Sequence, residues 1–242
     1  MRSFSKVSTG LKALYVLVFF VLFSCTRKIV IVYDISQERF ERQTKKQFGK
    51  FLIVDSREEA EYLSGHILDA LNYPLSTIKE RLVEISDYKT VPVYVYANKL
   101  DESFKAAKIL CENGFKVVYN CEGLNERTYQ LSRYHPIRLK TGFSLAKEKN
   151  FQLVDYRTPP SQEKHAVESA NFVPYPNLDK IINSINFSNG YVIFSSNITH
   201  ARECAKEFLS YGFVNVYYCI DNILDYPEYL AKPKLHKKAK ND

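Results

Sequence analysis

Two stretches of this chain have the residue types and spacing to hold a reacting group or an anion at the mouth of a loop. Val93-Tyr94-Val95-Tyr96-Ala97-Asn98 and, 98 positions later, Tyr191-Val192-Ile193-Phe194-Ser195-Ser196 are β-branched and aromatic runs that stop at a small residue. Each leads through a polar loop into a segment expected to be helical, 103–113 or 199–211. The loop amides of a strand–loop–helix unit point at whatever sits above the helix N-terminus. The first loop, Asn98-Lys99-Leu100-Asp101-Glu102, places two carboxylates at the helix start, where they favour the dipole and repel an incoming anion. The second, Ser196-Asn197-Ile198-Thr199-His200, carries no acid. Ser195, Ser196, Asn197, Thr199 and His200 therefore offer hydroxyl, amide and imidazole groups to a small ligand. The alternative is that both loops survive only through their capping.

Other chemistry is poorly supplied. Asp155, Ser195 and His200 are the residue types of a hydrolytic triad, but no nucleophile-elbow glycines surround Ser195. The five histidines show no metal-ligand spacing. No phosphate loop or dinucleotide fingerprint is present, so no cofactor is expected. Cys111, Cys121, Cys204 and Cys219 allow three complete pairings, which spacing does not choose between. They read more simply as small buried apolar residues.

The elements around the two loops alternate. Phe51-Leu52-Ile53-Val54-Asp55 reads as a buried parallel strand, closed by a polar residue. Ser36 is a candidate N-cap for a helix running to about Lys46. A short helix at 58–63, a short strand at 71–73 and an amphipathic helix at 75–85, with Ile78, Leu82 and Ile85 on one side, follow. Strand and helix in alternation with short links predict an α/β fold with a mainly parallel sheet. The order then recurs. Phe151-Gln152-Leu153-Val154-Asp155-Tyr156-Arg157 matches Phe51-Leu52-Ile53-Val54-Asp55-Ser56-Arg57, and 165–171 matches 66–72. A helix at 177–185 completes the second copy. A period this long is the duplication of a whole domain. The boundary is expected near Pro136–Ser144, where Pro136 and Gly142 interrupt structure.

Ile53-Val54-Asp55-Ser56-Arg57, Gly65-His66-Ile67, Ala70-Leu71-Asn72-Tyr73-Pro74, Val95-Tyr96 and the run from Gly114 to Gly123 together resemble the rhodanese-like family. The resemblance covers about 35–130 and, more weakly, 148–228. It implies two domains, each a central parallel sheet flanked by helices. In active members a cysteine at the end of the central strand carries a persulfide sulfur, cradled by the amides of the next loop. That cysteine falls at Ala97 in the first copy and at Ser195 in the second. A methyl group cannot carry sulfur, and a serine hydroxyl needs a positioned base. Cys204 is nine positions past Ser195, too far into the helix to reach the loop. His66 and His165 fall on the family's Gly-His-Ile position and read as structural. The expected function is a non-catalytic binding or scaffold protein. The alternative is a sulfurtransferase that uses a non-standard residue.

The N-terminus addresses location. Arg2, Lys6 and Lys12 precede the apolar run Ala13–Phe23, 11 residues long, against about 20 needed to span a bilayer. A signal peptide has this shape. Leu22-Phe23-Ser24-Cys25 looks like a bacterial lipoprotein signal, an aliphatic residue and then a small one ahead of the cysteine that takes the lipid, although Phe23 departs from the usual pattern. An uncleaved signal anchor is the alternative. The expected division is 1–24 signal peptide, 25–34 lipid site and short tether, 35–135 first domain, 145–230 second domain and 231–242 basic tail. The expected partners are a lipid bilayer, through acylated Cys25, and an envelope protein or small ligand. Removing the leader takes 34 basic residues to 31 against 27 acidic ones, a balance of +4. Much of the excess lies in the tail, at Lys232, Lys234, Lys237, Lys238 and Lys240. Such a tail reads as a solvated end, and no nucleic-acid partner is expected. Replacing Cys25 by Ser should abolish lipid labelling and leave unprocessed precursor; normal labelling of that variant would refute the assignment.

Overall fold

The structure is a computed structural model that describes residues 31–46, 50–178, 182, 185 and 188–231. The expected signal peptide, Cys25, the tail from Lys232 and most of the helix expected at 177–185 lie outside the described residues.

The first half runs β1 (Tyr33–Ile35), α1 (Gln37–Lys46), β2 (Leu52–Asp55), α2 (Glu59–Ser64), β3 (His66–Ile67), β4 (Leu71–Asn72), a 3₁₀ helix (Leu82–Tyr88), β5 (Pro92–Tyr96), α3 (Leu100–Glu112), β6 (Val117–Cys121) and β7 (Leu131–Ser132). The second runs β8 (His135–Ile137), α4 (Leu139–Lys149), β9 (Gln152–Asp155), α5 (Pro159–Lys164), β10 (Ala170–Phe172), β11 (Tyr191–Ser195), α6 (Ile198–Ser210) and β12 (Val216–Asn222). Two five-stranded parallel sheets result, ordered β1-β6-β5-β2-β4 and β10-β9-β11-β12-β8. Read from opposite ends, the two orders correspond strand for strand, so the protein is α/β with two like domains.

The central strands form where both faces are apolar. Val93, Tyr94, Val95 and Tyr96 are all buried, as are Tyr191, Val192, Ile193 and Phe194, the pattern of strands covered on both sides. In α3 the buried residues Ser103, Ala106, Ala107, Leu110 and Cys111 follow helical spacing, and two adjacent alanines let the helix lie close to the sheet. α6 repeats this with Ala201, Cys204, Ala205 and Phe208. Both helices stop at a glycine in the left-handed region, Gly114 (φ 93°) and Gly212 (φ 86°), where a side chain would be strained.

Three expectations need correction. The stretch 136–144 is not a break: Pro136 lies in β8 and Gly142 in α4. Pro136 is tolerated because β8 is an edge strand. Gly142 is needed because a Cβ there would meet Val192 Cγ1 at 2.8 Å. β8 pairs with β12, Tyr217 opposite His135 and Cys219 opposite Ile137, as β1 pairs with β6, Tyr33 opposite Tyr119 and Ile35 opposite Cys121. Each sheet thus takes its fifth strand from the segment just ahead of it, including Tyr33 and Asp34, which were expected to be tether. The segment 75–85 does bury Ile78 and Ile85, but as turns leading into a 3₁₀ helix that Ile85 interrupts at φ −120°.

The domains are joined by buried charge. Arg138, 4% exposed, directs Nε to both carboxylate oxygens of Asp221 at 3.1 and 2.9 Å. Its Nη1 donates to Glu84 O at 2.6 Å and Asp87 Oδ1 at 3.1 Å, and its Nη2 to Asp87 Oδ2 and Tyr226 Oη, both at 2.8 Å. Tyr88 Oη, from the first domain, donates to Asp221 at 2.9 Å. A second contact sets Asp69 against Arg202 Nη1 (2.6 Å) and Tyr218 Oη (2.8 Å). Arg138→Ala strands Asp221 without a counter-charge and should cost about 3–5 kcal/mol, read as a lower urea midpoint. Arg138→Lys should recover only part of this, because it lacks the planar fork. An unchanged midpoint for the alanine variant would show that the junction does not need this cation.

Candidate functional site

Both candidate loops sit where the sequence predicts, at the carboxyl end of the central strand, with each helix beginning sooner than expected. β5 ends at Tyr96 and α3 begins at Leu100; β11 ends at Ser195 and α6 begins at Ile198. Asp101 and Glu102 consequently lie in the first turn of α3.

Beneath the first loop the strand ends are pinned by a buried ion pair. Arg57 Nε and Nη2 reach Asp55 at 3.0 and 2.6 Å, and Nη2 also donates to Gly65 O at 2.8 Å. Tyr96 Oη donates to Asp55 Oδ2 at 2.7 Å and accepts from Ile67 N at 3.0 Å. Burial, and then the Asp55 charge, push that phenol well above its ordinary pKa, so it stays a donor. Burial opposes the Arg57 charge, but the Asp55 hydrogen bond and the Asp55 charge together outweigh it and the guanidinium pKa is raised.

The loop itself is filled by the chain. Ala97 is 3% exposed. Its carbonyl accepts from Leu124 N at 3.0 Å, and Asn98 O accepts from Asn125 N at 2.9 Å. Gly123 lies so close that a Cβ there would run into Asn98 O. Glu126 Oε2 accepts from Gly123 N at 2.7 Å and from Leu100 N, the first amide of α3, at 3.1 Å. An internal carboxylate thus occupies an amide that would otherwise face an anion. Glu61 adds another by accepting from Asn98 Nδ2. Sequence reasoning missed Glu126, whose only signal is its position three residues after Gly123.

The second loop is built differently. Ser195 is buried and its Oγ donates to Tyr156 O at 2.8 Å. Asn197 Oδ1 accepts from Thr199 N at 2.8 Å and caps α6. Ser196 and Thr199 are half-buried and Asn197 is exposed. The His200 ring stacks on Tyr175, centroids 3.7 Å apart at 10°. Asp155 is engaged by Arg157 at 2.7 and 2.6 Å. Asp155, Ser195 and His200 are therefore each committed elsewhere, and no hydrogen bond among the described residues joins Ser195 to His200.

The remaining sequence candidates are structural. His66 is buried, stacked on Tyr62 at 4.0 Å, with its ring nitrogens 3.1 Å from Tyr62 O and 2.8 Å from Tyr134 O. The His165 carbonyl accepts from Arg157 Nη2 at 2.8 Å. Cys111, Cys121, Cys204 and Cys219 are free and buried. Burial raises all four thiol pKa values, those of Cys204 and Cys219 well above the ordinary range. Among the described residues no group of three or more His, Cys, Asp or Glu side chains is placed to hold a metal. A cleft of about 620 Å³ lies between the domains, lined by Tyr73, Arg81, His135, Arg138 and Tyr217 among others, and by no residue of either loop.

Paired parallel sheets with a strand-to-helix loop over a buried Asp–Arg pair define an α/β protein of duplicated loop-cradle domains. Residues 36–126 match the family described as the rhodanese-like domain. Over 83 residues the chain is 40% identical to the protein YqhL of Bacillus subtilis (strain 168), covering 34% of this chain and 64% of that one. Over 73 residues it is 36% identical to thiosulfate sulfurtransferase PspE of Escherichia coli (strain K12), covering 30% and 70%. A solved rhodanese with anions from E. coli is similar at 31% identity with a TM-score of 0.32, over 35% of this chain and 99% of that one. The chain belongs to the rhodanese-like family.

Restoring a cysteine tests the two loops. Thiosulfate would pass its outer sulfur to the new thiolate and leave as sulfite. At Ala97 the thiolate meets Asp101, Glu102 and Glu126, whereas Ser195 has no carboxylate in its own loop, and electrostatics of this kind decide anion stabilisation. Ser195→Cys should take up sulfur by mass more readily than Ala97→Cys, and Glu126→Ala should narrow the gap. The reverse order would show that loop charge is not what separates them.

Proposed function

We propose that this chain is a membrane-tethered lipoprotein of the bacterial envelope, facing the periplasm or exterior, whose two rhodanese-like domains bind or scaffold without catalysing sulfur transfer. The observation that carries this reading is the first loop. Ala97 has no atom able to carry sulfur, and Glu126 holds the first helix amide. In the second domain Ser195 gives its proton to a backbone carbonyl, so nothing activates it. The four described thiols are buried and their pKa values are raised, which keeps them protonated and unreactive.

The second reading is a sulfurtransferase working through a non-standard residue. It is favoured by the 36% identity to a protein named thiosulfate sulfurtransferase. Mature protein incubated with thiosulfate and cyanide separates the two. Thiocyanate should not rise above a no-protein control, and a protein-dependent rise would establish the enzyme.

A further inference from the structure

The chain enters the first sheet at the pole opposite the Ala97 loop. β1 runs parallel to β6, and β6 to β5, so the amino ends of these strands share one pole and Ala97 lies at the other. Pro92 and Ala97, five residues apart along the strand, are separated by about 16 Å. Ile31 lies at the entry pole, its carbonyl accepting from Cys111 Sγ in the last turn of α3 at 3.4 Å. Ile31 and Tyr33 are 54% and 48% exposed and, two residues apart on an extended chain, share one face. The Tyr33 ring lies 5.9 Å from Tyr119, which carries the patch onto β6. Lys116 is exposed beside β6, and its N–H donates to Lys89 O at 2.9 Å, which brings the two lysines to one place. Among the described residues neither lysine has a carboxylate partner.

We infer that this pole, formed by Ile31, Tyr33, Lys89 and Lys116, rests on an anionic lipid surface. The inference depends on the proposed acylation of Cys25. Six residues lead from Cys25 to Ile31, and fully extended they reach about 20 Å. A lipid on Cys25 therefore holds the entry pole near the bilayer and leaves the Ala97 loop facing away. Acyl chains alone do not choose which face meets the membrane; a second signal does. Lysines without a carboxylate partner, Lys89 lying over the Phe115 ring at 6.0 Å, supply attraction to acidic head groups. An exposed isoleucine and the amphipathic ring of a tyrosine suit the interfacial depth.

The test uses the full-length processed protein, reconstituted in vesicles, with hydroxyl-radical labelling of Tyr33. Tyr211, 51% exposed in the second domain, is the internal reference. Tyr33 labelling should fall about fivefold on phosphatidylglycerol vesicles relative to phosphatidylcholine ones, with Tyr211 unchanged. The double substitution Lys89→Gln and Lys116→Gln should erase the difference. Equal Tyr33 labelling on both vesicles, in protein whose intact mass includes the lipid, would overturn the inference. Protection of Tyr33 that grows with protein concentration without vesicles would overturn it too, because β1 would then be pairing with a second copy. Absence of the lipid mass would remove the tether alone. Phosphatidylglycerol vesicles added to that unacylated protein would still decide the surface by the same comparison.

Discussion

A guanidinium that is 4% exposed must be neutralised where it sits, and Arg138 imposes that requirement on both domains at once. Burial opposes its charge, yet the Asp221 charge and hydrogen bonds outweigh the penalty and the pKa is raised. Asp87 is the complement: burial disfavours its charge, but Arg138 and Lys50 hold its carboxyl below the ordinary range. Separating the domains would leave Arg138 paired with Asp221 but take from it Asp87 and the Glu84 carbonyl, and would take the Tyr88 hydroxyl from Asp221. The segment around Arg138 is committed on every side. Tyr134 O faces His66, His135–Ile137 completes the second sheet, and Leu139 N donates to Asp221 at 2.7 Å. A connection with these duties cannot act as a flexible linker.

Duplication kept the frame and let its satisfaction drift. In the first domain the Tyr96 hydroxyl bridges Asp55 and the Ile67 amide. Phe194 stands at the matching place in the second and has no hydroxyl to offer. There Arg157 is fully buried and its Nη1 has no hydrogen-bond partner. An unmet buried donor costs about 1–3 kcal/mol. The second copy is thus held less firmly directly below its loop, although its strand order and helix contacts are unchanged.

The repeat, the parallel strands and both loop positions were legible in the sequence, because each is a local pattern: an apolar run, a small residue at its end, a glycine after the helix. What escaped depends on distance along the chain. Glu126 meets Leu100 across 26 positions and Arg138 meets Asp221 across 83, and nothing near either residue announces its partner. Pro136 and Gly142 were misread for a related reason. Proline and glycine mark breaks only when no tertiary context needs them, and here an edge strand tolerates one while close helix–sheet packing requires the other. The helix at 75–85 shows the limit of periodicity: the apolar spacing found the buried residues but not the turn geometry that buries them.

The two loops show how a cradle persists without the thiol. Amides at a helix N-terminus need acceptors, and both loops supply them from within. The first domain meets this with Glu126, from the segment that Gly123 allows to lie on the loop. The second meets it with Asn197, from the loop itself. Each internal acceptor favours the closed loop and competes with any incoming anion, so the loop is satisfied without a ligand. The molecule places a basic and aromatic pole at one end of the first domain and a cleft between the domains. Both surfaces lie apart from the loops, the cleft being lined by no residue of either.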